Sequence, residues 1–143
     1  MFIGEYQHNI DLKGRVAVPA KFRNKLSGGA IVTRGLDKCL FLFSTEEWEK
    51  LALKIINLPL TQANSRAFSR LMLAGASDCE IDAQGRILIP DYLRKYAKLK
   101  KEVVIAGLYN RAEIWESTCW NKYKTETEER SEEIAERMSE LGL

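Results

Sequence analysis

Histidine occurs once and cysteine three times in this chain of 143 residues, and these scarcities remove whole classes of function. Cys39, Cys79 and Cys119 are far apart, form no Cys-x-x-Cys pair, and have only His8 to share a metal with, so no metal site is expected. Reduced, buried thiols in a cytosolic protein are the expectation instead. No apolar run approaches the roughly 20 residues needed to cross a bilayer. The opening Met-Phe-Ile-Gly-Glu has neither a basic segment nor a sustained apolar one, so no secretory signal and no membrane partner are expected. Ser44, Ser77 and Ser117 have no plausible base, and neither a Gly-x-Ser-x-Gly elbow nor a glycine-rich phosphate loop is present. An enzyme, a cofactor and a small-molecule substrate are all disfavoured.

What is present is ordinary globular composition, 45% hydrophobic, with a segregated charge beneath a net of +2. From Asp11 to Lys25 there are five cations (Lys13, Arg15, Lys21, Arg23, Lys25) against one anion. From Asp82 to Lys101 six cations (Arg86, Arg94, Lys95, Lys98, Lys100, Lys101) face Asp82 and Asp91. From Thr125 onward seven glutamates face only Arg130 and Arg137. Two basic segments and an acidic tail suit a polyanion bound by part of the surface, although solvated helix faces would give the same count.

An internal repeat decides between these readings. Ile10-Asp11-Leu12-Lys13-Gly14-Arg15-Val16 matches Ile81-Asp82-Ala83-Gln84-Gly85-Arg86-Ile87, an offset of 71 that also pairs Gly4 with Gly75, Pro19 with Pro90 and Arg23 with Arg94. One inserted residue later the offset is 72, pairing Gly35-Leu36 with Gly107-Leu108, Leu42 with Ile114 and Trp48 with Trp120.

Each copy predicts the same elements. Segments 5–10 and 77–81 enter a short turn, and 15–18 and 86–89 leave it as strands, with Gly14 and Gly85 where the turn calls for positive φ. Pro19 and Pro90 stop those strands and open helices Ala20–Leu26 and Asp91–Leu99. Strands follow near 30–34 and 39–43, and again at 102–107 and 112–116. Ser44 and Glu47 form a capping-box pattern before Trp48, Leu51, Ala52 and Ile55 at helical spacing. Leu58-Pro59-Leu60 breaks that helix, and a second, about Gln62 to Ala74, ends on Gly75 as a C-cap. The last helix, roughly Thr118 to Leu141, is apolar at both ends and polar between. A four-strand unit buries too little apolar surface alone. The two copies are therefore expected to share one core about a pseudo-twofold axis, as a β-barrel-like domain ringed by helices.

Asp-x-x-Gly-Arg recurs at both turns. Glycine shapes the turn, aspartate accepts from turn amides or pairs with arginine, and arginine projects a planar fork suited to phosphate or to the O6/N7 edge of guanine. An Asp–Arg pair that only braces the turn is the alternative, and both can hold, since an aspartate that orients arginine preorganises it. Phe41 is a candidate interface residue because its counterpart is Glu113, with a core role equally open. His8 reads as a packing or surface residue, and the tryptophans as core or interface.

Gly4-Glu5-Tyr6, Asp11-Leu12-Lys13-Gly14-Arg15 and Pro19-Ala20-Lys21-Phe22-Arg23, with Asp82 to Arg86 in the second copy, resemble the bacterial MraZ family. That resemblance covers nearly the whole chain. It implies a mixed α+β fold: a duplicated AbrB-like (SpoVT-AbrB) swapped-hairpin β-barrel with pseudo-twofold symmetry and peripheral helices. The corresponding organisation is repeat 1 at 5–47, a helical connector at 48–75, repeat 2 at 76–119 and an acidic C-terminal helix at 120–143. It also implies a transcriptional regulator, expected to repress, of the division and cell-wall gene cluster including its own gene. Such a regulator binds short G-rich direct repeats in double-stranded promoter DNA as a ring-shaped homo-oligomer, in the cytoplasm and on the nucleoid. The DNA-binding residues expected are Arg15, Arg86, Lys13, Gly14, Lys21 and Arg23, with Asp11, Asp82 and Gly85 supporting the turns. The second copy departs at Asp91 (for Ala20) and Tyr92 (for Lys21), so its contact is expected to be weaker or differently aimed. A protein-interaction module, such as an AbrB-like antidote or a scaffold using the acidic helix, is the second reading.

Overall fold

The computed structural model describes residues 1–143. The first copy contains β1 (Phe2–Asn9), β2 (Arg15–Ala17), α1 (Ala20–Arg23), β3 (Ala30–Arg34) and β4 (Leu40–Ser44), followed by α2 (Thr45–Ile56) and α3 (Ala63–Ser69). A π-helical turn, Arg70–Ala74, leads into the second copy. This comprises β5 (Ser77–Cys79), β6 (Arg86–Leu88), α4 (Asp91–Tyr96), β7 (Glu102–Tyr109), β8 (Ala112–Glu116), α5 (Ser117–Glu129) and α6 (Ser131–Met138). No helix is long and apolar enough to cross a membrane.

Six strands form one antiparallel sheet in the order β1-β7-β8-β4-β3-β5, and β2 and β6 form a separate antiparallel ribbon. Both are symmetric in the duplication. In the ribbon Val16 pairs with its own counterpart Ile87, and in the sheet Phe41 pairs with its counterpart Glu113. A pseudo-twofold axis therefore passes through both pairs. The sheet is open, with β1 and β5 at its edges, so the architecture is mixed α and β: an antiparallel sheet, a separate two-stranded ribbon and six helices.

Strand alternation builds two layers. Leu40 and Leu42 of β4, with Ala112 and Ile114 of β8, face a core of 18 residues that also takes Val16, Val18, Ile87 and Ile89 from the ribbon and its exits. Phe41, Phe43 and Trp115 face the other way, against Ile55 and Met72 of the helices. Phe41 is thus a buried core residue, and the Arg111 guanidinium lies 4.9 Å from its ring centroid. Glu113, also buried, accepts from Arg111 and from Trp115 Nε1 (3.0 Å), which satisfies its charge.

Several expected boundaries shift. Ala30 and Val103 stand opposite the equivalent Ser44 and Glu116, so β3 and β7 correspond at 73 positions rather than 72. The first β-turn holds one residue more than the second, which restores the offset of 72 in β4. The expected helices Ala20–Leu26 and Asp91–Leu99 end early, at Arg23 and Tyr96. The single C-terminal helix is instead two, broken at Arg130 (φ −108°, ψ 14°). Glu126, Glu128 and Glu129 crowd the end of α5, where the helix dipole disfavours anions, while Glu132 and Glu133 suit the start of α6. Gly75 does cap this segment, donating its N–H to Leu73 O, in the right-handed region (φ −79°). It is required by space, since a Cβ there would sit 2.5 Å from the Leu71 carbonyl oxygen. Cys39 and Cys79 are buried as expected, but Cys119 is exposed.

Candidate nucleic-acid interface

The Asp-x-x-Gly-Arg turns have almost identical geometry. Asp11 Oδ1 accepts from the backbone N–H of Lys13 and of Arg15, both at 2.9 Å, and its Oδ2 accepts from Arg15 Nε at 2.7 Å. Asp82 does the same for Gln84, Arg86 and Arg86 Nε, at 2.9, 2.9 and 3.0 Å. Gly14 and Gly85, at φ +86° and +77°, close the turns by donating to the carbonyl oxygens of Asp11 and Asp82. The copies then interlock: Val18 N–H donates to Gly85 O, and Ile89 N–H to Gly14 O. Each turn is held by the strand of the other copy.

The ribbon's inner face carries Val16 and Ile87 into the core. By strand alternation its outer face carries Arg15, Ala17, Arg86 and Leu88. Arg86 Nη1 also lies 3.8 Å from Asp11 Oδ2, which ties the two sites together. Both guanidiniums therefore have Nε fixed by their own aspartate, and the Nη edge of Arg15, whose side chain is about a third exposed (34%), has no partner within the chain. Such an edge can meet a phosphate or a guanine bidentately without first losing side-chain freedom.

These contacts also set the titration of the turns. The Arg15 backbone N–H, then its guanidinium and the Lys13 N–H, pull the Asp11 carboxyl down to about 2 against opposing desolvation. Asp82 is lowered likewise, first by the Arg86 backbone N–H. A carboxyl that ionises more readily in the folded chain stabilises it above the unfolded value of 3.8, and that contribution is lost as pH falls through the lowered value. We expect Asp11→Asn/Asp82→Asn, which keeps the amide acceptors, to lose less stability than the wild type between about pH 5 and about pH 2. Urea midpoints across that range report it, and superimposable acid profiles would rule it out.

The other expected site residues divide. Lys13 is exposed at the first tip, and Lys21 is exposed on α1. Neither has a carboxylate partner. Arg23 is better described as a brace: its Nε donates to Val18 O at 3.0 Å, and its guanidinium lies where a Cβ on Gly85 would fall. Arg94, its counterpart, lies under Gly14 in the same way. However, Arg94 Nε has no partner, and its Nη2 is 3.6 Å from Asp91, which Lys95 also contacts at 2.9 Å. Tyr92, standing where copy 1 has Lys21, donates to Gly75 O instead. His8 is half-buried, its imidazole shifted toward neutrality by burial and then by Arg23.

Lys100 and Lys101 belong with the first turn, although they lie in the second copy. They line a groove of about 530 Å³ with Ile10, Asp11 and the fully exposed Leu12, and Ile10 N–H donates to Lys101 O at 2.8 Å. The equivalent groove at the second turn is lined by Arg23, Ser27, Gly28, Gly29, Glu80 and Ile81. The first turn therefore has Lys13 at its tip and Lys100 and Lys101 beside its aspartate, where the second has Gln84, Arg23, a Ser-Gly-Gly loop and Glu80. The signal in the sequence is the basic run after α4, which becomes informative only once the strand exchange is known.

A family model described as "MraZ protein, putative antitoxin-like" matches the chain twice, over residues 1–71 and 72–141. The chain is also similar over its full length, and over the full length of each relative, to proteins named "Transcriptional regulator MraZ". Identity is 53% with that of Halothermothrix orenii, 54% with that of Carboxydothermus hydrogenoformans and 50% with that of Thermoanaerobacter pseudethanolicus.

Proposed function

The chain belongs to the MraZ family, and from that premise we propose that it is a sequence-specific DNA-binding transcriptional regulator whose cross-copy ribbon reads promoter DNA. The family is one of regulators rather than enzymes. The observation that carries the reading is the outer face of the ribbon, where Arg15 and Arg86 are each locked by an aspartate, with Lys13 on the first turn and Lys100 and Lys101 in the groove beside Asp11. Arginine forks supply base recognition and lysines supply phosphate contacts. Leu88, exposed between the arginines on that face, suits a thymine methyl.

On this reading the swapped-hairpin unit folds as repeats 5–47 and 76–119, with the connector 48–75 and the tail 120–143 serving assembly. Its targets are short G-rich direct repeats upstream of the division and cell-wall genes, its own included, which it represses. It acts in the cytoplasm, on the nucleoid. Direct repeats call for several units facing one way, and a closed head-to-tail homo-oligomer provides them.

The test is a mobility-shift titration on one repeat, on native spacing and on spacing altered by about five base pairs, half the helical repeat. Native spacing should bind most tightly, because linked sites gain from effective concentration only where the assembly can span them. Equal affinity for all three means that subunits act singly. Added salt should weaken binding with a log–log slope of about −0.9 per phosphate neutralised. Lys100→Gln/Lys101→Gln should make that slope shallower by about 2 for each subunit engaged. An unchanged slope would remove these lysines from the interface.

A further inference from the structure

Each Asp-x-x-Gly-Arg turn is a closed unit. Asp11 holds the backbone N–H groups of Lys13 and Arg15 together with Arg15 Nε, so aspartate, glycine and arginine shift as one body. How that body is tilted depends on what lies beneath Gly14, and this comes from the other copy. Ile89 N–H donates to Gly14 O at 2.9 Å. The Arg94 guanidinium fills the space that a Cβ on Gly14 would take, with Nη1 at 2.6 Å and Cζ at 2.7 Å from that point. Gly14, at φ +86°, is the residue type that admits both the turn and this approach.

Arg94 is itself firmly seated. It follows the fully buried Leu93 on α4, and its backbone N–H donates to Pro90 O at 3.1 Å. Its Nε is nevertheless buried without a partner, which costs stability and calls for a reason. The mirror brace shows what is missing. Arg23 Nε donates to Val18 O at 3.0 Å, whereas Arg94 makes no such bond to the equivalent Ile89 O. Its Nη2 lies 3.6 Å from Asp91, the residue that stands where copy 1 has Ala20. Because the helices brace the turns crosswise, this departure in copy 2 bears on the turn of copy 1.

We infer that Arg94 is a positioning residue for DNA recognition: without touching DNA, it sets through Gly14 the pose in which Arg15 meets its base. The inference rests on the ribbon being the DNA-reading face and adds to it a residue from outside that face. A base contact made by a planar fork tolerates little misplacement, so the support beneath the turn matters as much as the fork. Control is crossed between the copies, with Arg94 governing Arg15 and Arg23 governing Arg86.

Fluorescence anisotropy at low salt, on a single-repeat operator duplex and a scrambled one, tests this with the full chain. Arg94→Met keeps the apolar stem and removes the guanidinium, and Arg94→Lys keeps only the charge. Both should weaken operator binding by about 5-fold or more, bounded by the loss at Arg15→Ala, and leave the scrambled duplex unaffected. Added to Arg15→Ala, Arg94→Met should cost nothing further, and added to Arg86→Ala it should cost its full factor. Circular-dichroism melting checks folding, and Arg94→Lys carries the same cycles if Arg94→Met melts below the assay temperature. An equal fall on both duplexes, or full recovery with lysine, would make Arg94 a phosphate contact and overturn the inference. So would unchanged discrimination, or a loss that simply adds to that of Arg15→Ala. Each of these leaves the ribbon reading standing, whereas intact discrimination by Arg15→Ala would overturn both.

Discussion

Arg15→Ala should cut specific affinity for the operator by about 5- to 150-fold per engaged site, corresponding to about 1–3 kcal/mol for a bidentate arginine–base contact. Losses at several linked sites compound, so binding to the complete promoter should disappear at concentrations where the wild type saturates it. The fold should survive. Arg15 is about one-third exposed and its pairing with Asp11 is a surface ion pair, screened by solvent and small in its contribution to stability. Arg86→Ala should lose less, because the second turn has one cation, Arg23, among Gln84, Ser27, Gly28, Gly29 and Glu80, where the first has three, Lys13, Lys100 and Lys101. Fluorescence anisotropy on operator and scrambled duplexes, with melting curves as the control on folding, measures both. A folded Arg15→Ala chain with near-normal discrimination contradicts the assignment, and an equal or greater loss at Arg86 reverses the ranking.

Residues 1–75 expressed alone should not yield a folded monomer. Within the whole chain β1 pairs only with β7 and β2 only with β6, while β4 has β8 on one side. Cutting after Gly75 leaves only the β3–β4 hairpin and the single Ile10–Val16 bridge, and an isolated hairpin is marginal in water. Nine of the 18 core residues, from Cys79 to Ile114, leave with the second half. The half-chain is expected either to be unfolded or to dimerise, with a true twofold replacing the pseudo-axis at Val16. Circular dichroism with light scattering distinguishes these states, and a cooperatively melting monomer would refute the shared-core account. The same argument makes Gly107 sensitive, since a Cβ there would lie 2.5 Å from the backbone of Phe2 and Ile3 on β1.

The duplication, both Asp-x-x-Gly-Arg turns and the Ser44 cap (its Oγ accepts from Glu47 N–H at 3.2 Å) were legible in the amino-acid order. These are local features: a turn glycine, a side chain reaching two to four residues, an apolar period. Partner choice is not local. Alternation marks Val16 and Val18 as inward but does not say that β2 pairs with β6, and so Lys100 and Lys101 stayed apart from the turn they flank. Arg23 read as a free cation because its brace, Gly85, lies in the other copy. The one-residue slip between β3 and β7 was hidden by glycines at 35 and 107 that match in sequence but not in register: Gly107 takes the place of Arg34, opposite Ala112 as Arg34 is opposite Leu40. The break at Arg130 depends on charge against a helix dipole, which hydrophobic spacing does not record.

The claim that the interlocked turns read DNA is tested most directly by footprinting the duplex just upstream of this protein's own gene, with wild type and Arg15→Ala side by side. The account predicts that the wild type protects short G-rich direct repeats on one face of the helix and that folded Arg15→Ala protects none of them. An absence of protection by the wild type, or the same footprint from both proteins, would contradict it.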